Sequence, residues 1–232
     1  MWHTPNFEET LKALWRNGRP SHLPFYEHLA SAGFIANRTT QDFLKLNPGD
    51  PGYWEIYVDF WLGMGYDFVP MEVPFNCPLP EGHGAESEGS EAKAVITSME
   101  DFEGYPWPDE SSPMDFSHFE TVGSLLMGTV GLSYAIMDEP ELVDLMFDKM
   151  QRLGGSAGGQ LAQMDCIGAI RQGDDLGFKT STFLSPNQLR NWVFPTYKQM
   201  ADLSHQQDKP FILHSCGNLG EVYEDIIACG VD

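Results

Sequence analysis

The sequence predicts an α/β fold in which helices cross over between parallel strands, either a (βα)-barrel or an open parallel sheet. Two observations predict it, and a third points to an enzyme. From Asp138 onward, short apolar runs alternate with helical patterns. The crossovers between those runs are long enough to return the chain parallel to itself. Four candidate strands end in polar groups: Glu27/His28, Glu72, Asp174/Asp175 and His214/Cys216. In folds of this class the catalytic groups sit at the carboxyl ends of strands.

The elements follow in chain order. Pro5 to Arg16 reads as a helix, with Phe7, Leu11, Leu14 and Trp15 at helical spacing, stopped by Asn17-Gly18. Leu23 to His28 reads as a short strand. Tyr53 to Met64 carries a helical stripe of Ile56, Tyr57, Phe60, Trp61 and Met64, read with Trp54 as core, and Gly63 and Gly65 punctuate its end. Asp67 to Glu72 is a second strand candidate, limited by Pro70. Residues 73–113 are rich in Pro, Gly, Ser and Glu and read as a long loop or lid.

Asp138-Glu139-Pro140-Glu141 opens a helix whose apolar face is Leu142, Leu145, Met146, Met150 and Leu153. Ile167 to Arg171 is a buried strand. Ser185-Pro186-Asn187-Gln188 is a capping box, and the helix it starts runs to about His205. Pro210 to His214 is the next strand and Asn218 to Ala228 the next helix, ended by Gly230. Val231-Asp232 would begin a further strand. No internal repeat interrupts this order, so the reading is one domain over residues 1–232.

Composition excludes several functions. The net charge is −21, from 34 acids against 13 bases. Nucleic acids and anionic membranes need clustered Lys and Arg, so neither is expected as a partner. No apolar run reaches the roughly 18 residues of a membrane span. The opening Met-Trp-His-Thr-Pro-Asn-Phe-Glu does not look like a secretory signal, so a cytoplasmic protein is expected. Cys77, Cys166, Cys216 and Cys229 are then expected as buried thiols or metal ligands rather than disulfides. Nucleotide chemistry has no support, because no P-loop or G-x-G-x-x-G is present.

The chemistry concentrates at His214-Ser215-Cys216-Gly217. Side chains two apart on an extended segment point to one side, so an imidazole and a thiolate can converge on one ion. Zinc takes such N/S ligands. The competing reading is a core histidine beside a buried thiol. Glu72, Glu27, His28, Asp174 and Asp175 are candidates for further ligands or acid–base groups. The aspartate pair is equally readable as loop and helix-cap chemistry. Arg171 and Lys179 are the bases nearest in sequence to that acidic strand end, and either is expected to pair with Asp175.

Several segments together resemble the uroporphyrinogen decarboxylase superfamily, closest to its cobalamin-dependent methyltransferase branch. They are Tyr-Val-Asp-Phe-Trp (57–61), Glu-Asp-Phe-Glu-Gly-Tyr-Pro-Trp-Pro (100–108), Asp-Glu-Pro-Glu-Leu-Val (138–143), Gly-Asp-Asp-Leu-Gly-Phe-Lys-Thr (173–180) and His-Ser-Cys-Gly-Asn-Leu (214–219). The resemblance implies a (βα)8 TIM-type barrel and a cytoplasmic enzyme. It implies zinc held by His214 and Cys216 with a later Cys. It also implies methyl transfer between a small donor or thiol and a corrinoid (cobalamin) carried on a partner protein. Glu72 matches a polar strand-end position of the family.

The alternatives are a decarboxylase of the same superfamily acting on a tetrapyrrole or other carboxylate, and a non-catalytic barrel. The decarboxylases carry an arginine-rich carboxylate grip near the N-terminus. The corresponding Gly18-Arg19-Pro20-Ser21-His22-Leu23-Pro24-Phe25 has none. Two further departures point to an incomplete barrel. The later Cys would lie beyond Asp232, and Leu125-Leu126 runs straight into Met127-Gly128 where the family has another strand.

Overall fold

A computed structural model describes residues 3–72, 77–80, 94–111 and 118–232. The chain forms two compact units, Met1–Glu72 and Val73–Asp232.

The first unit is helical. Helix α1 (Phe7–Leu14) begins where the Asn6 side chain accepts the Glu8 N–H, and α2 (Ala32–Arg38) where Ser31 accepts that of Phe34. A 3-10 turn (Gln41–Lys45) and α3 (Tyr53–Gly63) follow. Their core is small: Ile35, Ala36, Phe43, Phe60 and Trp61 are buried, with Tyr53, Ile56 and Tyr57 packed on them. Trp54 and Met64, read as core, are exposed.

The strands expected at Leu23–His28 and Asp67–Glu72 are not formed; both segments are irregular. Pro24 and Pro70 each remove a ladder donor. Moreover, the carboxylate of Asp67 is occupied by side chains rather than presented at a strand end.

The second unit carries the α/β pattern. Residues 73–76, 81–93 and 112–113 of the expected loop lie outside the described residues. The rest of that loop includes a helix the sequence reading missed, α4 (Met99–Gly104). Ser98 caps it, and the Asp101 carboxylate reaches back to the N–H and hydroxyl of Thr97. A π-helical turn (Thr121–Leu126) and α5 (Thr129–Asp138) follow.

Helix α6 (Pro140–Ala162) starts with Pro140 in its first turn, as the sequence predicts. Its Gly154, Gly155, Ala157 and Gly158 are buried. A Cβ at Gly155 would overlap the Gln199 side chain. Small residues therefore let α6 lie close to the later helix that carries Gln199. The capping box forms as read: Ser185 and Gln188 each satisfy the other's backbone N–H at the start of α7 (Pro186–Trp192). The single helix expected to His205 is split. Pro195 cannot continue the ladder, and α8 (Phe194–His205) starts anew.

Strand β1 (Ile170–Gly173) pairs parallel with β2 (Phe211–His214), in register from Ile170↔Phe211 to Gly173↔His214. Helix α9 (Tyr223–Ala228) is shorter than predicted. At Gly230, φ is +91°, which ends it as a left-handed glycine does. Among the described residues this two-stranded pair is the whole sheet, so the architecture is mixed α/β and the expected eight-stranded barrel is not seen. Asp232 donates its N–H to the Phe211 carbonyl on β2, 3.1 Å away. No described helix is long and apolar enough to cross a membrane.

Candidate functional site

The parallel pairing of β1 and β2 brings two strand ends together. It extends one residue beyond the strands, where the Asp174 N–H donates to the His214 carbonyl at 2.9 Å. Alternation then sends neighbouring side chains to opposite sides. Asp174 turns into the core and Asp175 turns out.

Asp175, His214 and Cys216 form one cluster. Cys216 Sγ lies 3.8 Å from His214 Nε2. His214 Nε2 lies 3.9 Å from Asp175 Oδ1. The same oxygen accepts the Cys216 N–H at 2.8 Å. All three potential ligand atoms fall within 4.8 Å of one another. His214 and Cys216 are exposed and Asp175 partly so.

The turn that presents them is held from behind. Ser215 Oγ accepts the Leu176 N–H at 3.0 Å. Gly217 adopts φ +92° and presses against the Gly177–Phe178 backbone. The Asn218 N–H then donates to the Phe178 carbonyl at 2.8 Å.

The Asp175 carboxylate sets the state of the thiol. A neighbouring carboxylate disfavours the thiolate, and the Cys216 pKa lies above the usual cysteine range. Asp175→Asn removes that charge. In metal-free protein carrying Cys166→Ser, alkylation of Cys216 by iodoacetamide is expected to accelerate several-fold at pH 8. An unchanged pH profile of alkylation would mean that Asp175 does not govern the thiol.

The aspartates expected to act together are therefore divided. Asp174 is fully buried, with its carboxylate bound by the N–H groups of Phe119 and Glu120 and by the Tyr197 hydroxyl at 2.8–2.9 Å. Of the two open readings, Asp174 follows the structural one and Asp175 faces the cluster. The expected pairing of Asp175 with Arg171 or Lys179 is absent among the described residues. Arg171 folds its guanidinium beside Gly173 instead. Glu72 is exposed at the end of the first unit. Glu27 and His28 pair with each other there.

Sequence reasoning missed Gln172 on β1. Its side chain is buried, and neither amide atom has a partner among the described residues. It also missed a second convergence of ligand atoms, His3, His22 and Asp67, in the first unit. Residue type alone signals both histidines, but their separation along the chain hides the meeting.

No protein-family model matches the sequence, and no curated protein matches it either. Among solved structures, a methyltransferase from Methanosarcina mazei is similar in fold. Its TM-score is 0.61 at 14% sequence identity, over 96% of this chain and 73% of that one. At that identity the likeness speaks for a shared fold.

Proposed function

We propose that this protein is a zinc-dependent methyltransferase of the uroporphyrinogen decarboxylase type. It would move a methyl group between a small donor or thiol and a corrinoid held by a partner protein. The observation that carries the reading is the meeting of Asp175, His214 and Cys216 at the ends of two parallel strands. Fold similarity to a protein named as a methyltransferase supports it.

The donors fit zinc in type and spacing. A tetrahedral site with bonds of about 2.0–2.3 Å separates its ligand atoms by roughly 3.3–3.8 Å. The observed separations of 3.8 and 3.9 Å need only a small carboxylate rotation. Bound there, zinc supplies Lewis acidity that favours a thiolate at neutral pH or polarises a methyl donor.

The chain's own residues do the rest. Cys216 would ligate as thiolate, its proton leaving to solvent from an exposed position, and Asp175 would ligate through its carboxylate. His214 ligates as neutral imidazole through Nε2. Ser215 and Gly217 hold the turn, so the donors are positioned before anything binds.

The test is zinc per chain by plasma mass spectrometry, together with demethylation of free methylcobalamin by a small thiol. Cys216→Ser is expected to lose about one zinc equivalent and to slow demethylation on the order of 100-fold or more. A Cys216→Ser protein that keeps the parent's zinc content would overturn the reading.

A further inference from the structure

The first unit contains a second convergence of ligand-type atoms. His3 Nε2 lies 3.0 Å from Asp67 Oδ1, and His22 Nε2 lies 2.8 Å from Asp67 Oδ2. The two imidazoles overlap, with centroids 3.6 Å apart and planes tilted by 30°. Both present Nε2 to the same carboxylate.

Charge is the physical problem this arrangement poses. The Asp67 side chain is completely buried, while each histidine is about one-fifth exposed. Its remaining bond comes from the Asn6 N–H at 2.9 Å. Among the described residues no Lys or Arg pairs with it. A divalent cation held by the two Nε2 atoms and the carboxylate would place positive charge beside a buried carboxylate that no described Lys or Arg meets.

The surroundings suit a ligand role. A ligating histidine orients best when its other nitrogen is held, and a ligating carboxylate is itself hydrogen-bonded. Ser21 Oγ meets His22 Nδ1 at 3.2 Å, and Asn6 holds Asp67 Oδ1. The present N···O distances are those of hydrogen bonds. A small rotation of the two partly exposed rings opens the roughly 3.3 Å edge that bonds of about 2.0–2.1 Å require. Two imidazoles and one carboxylate select a first-row transition ion over magnesium or calcium, which prefer oxygen cages.

We infer that His3, His22 and Asp67 form a binding site for one divalent transition-metal ion, with zinc or cobalt as suitable occupants. The ion staples segments 64 and 45 residues apart in sequence. Among the described residues, this unit's core holds five buried hydrophobic side chains, a small core for which such a staple is a recognised compensation.

The inference is independent of the proposed zinc site, and one set of variants separates the two. Untagged full-length protein carrying Cys216→Ser and His214→Gln is titrated with cobalt. One equivalent is expected to bind with visible d–d bands and no thiolate-to-cobalt charge transfer, and with a rise in Tm. Adding His22→Gln or His3→Gln is expected to weaken binding at least tenfold and to abolish the Tm rise. Circular dichroism checks that these variants, and Asp67→Asn, remain folded. No cobalt uptake in the Cys216/His214 background would overturn the site, and so would binding undiminished in folded His22→Gln or His3→Gln protein.

Discussion

Gly217→Ala is expected to dismantle the strand-end cluster and to cost on the order of 3–5 kcal/mol of stability, from a strained φ combined with overpacking. At φ +92° a side chain is already disfavoured. A Cβ built there lies 2.5 Å from the Phe178 nitrogen and closer still to the Gly177 carbonyl. These are backbone atoms and cannot rotate aside. The Gly177–Thr182 bridge and the Asn218–Phe178 hydrogen bond hold them from either side. The chain must therefore move where Cys216 and His214 are presented. Urea unfolding and zinc content should fall together. Gly220→Ala is the control, because a Cβ there meets only the end of the Asn218 side chain, at 3.2 Å. Parent-like stability and zinc content in Gly217→Ala would show that the turn does not need this approach.

Asp174→Ala is the second large effect, expected at about 3–5 kcal/mol from the loss of a buried hydrogen-bonding hub. Three donors, the N–H groups of Phe119 and Glu120 and the buried Tyr197 hydroxyl, would lose their acceptor. Two of them precede the π-helical turn Thr121–Leu126, where helix-type N–H groups lack partners of their own. The mutation therefore unties that turn from the strand end.

The effect should depend on pH. Burial pushes the Asp174 carboxyl up to about 7, against the pull of its three donors. The folded state thus holds a proton that the unfolded chain, near 3.8, releases. Stability from this group is complete below about pH 4 and is lost as pH rises through 7. The cost of Asp174→Ala should shrink across that window by a few kcal/mol. His118 runs the other way. Burial lowers it to about 4, although its Nε2–H donates to the Trp192 carbonyl. Its contribution is present above 6.5 and is lost as pH falls to 4. Denaturation curves of Asp174→Ala and His118→Gln between pH 4 and 8 should therefore diverge in opposite directions from the parent. A cost of Asp174→Ala that grows with pH would mean the three donors outweigh burial.

Local signals carried much of the second unit. Pro140 behind two acids, the Ser185–Gln188 box and the apolar runs before Gly173 and His214 each act over a few residues, and an element forms at each. The first strand is nevertheless Ile170–Gly173 rather than Ile167–Arg171, and the helix from the box ends at Trp192. The same locality misled elsewhere. Leu23–His28 has the composition of a strand, but a strand exists only if a partner accepts its ladder. The Pro, Gly and Ser of the 73–113 stretch masked the cap at Ser98 that starts α4.

By itself, the sequence determined the helix starts at Pro140 and Pro186, the two parallel strands and the place of His214 and Cys216 at the end of the second strand. These depend on short-range periodicity and capping, which residue identity sets directly. Only the tertiary structure decided which of two adjacent aspartates faces the core and which faces the thiol. The register of β1 against β2 makes that choice, and a shift of one residue would reverse it. Only the tertiary structure, too, brought His3 and His22 to Asp67. That contact spans up to 64 residues and depends on how the chain returns, which no local pattern encodes.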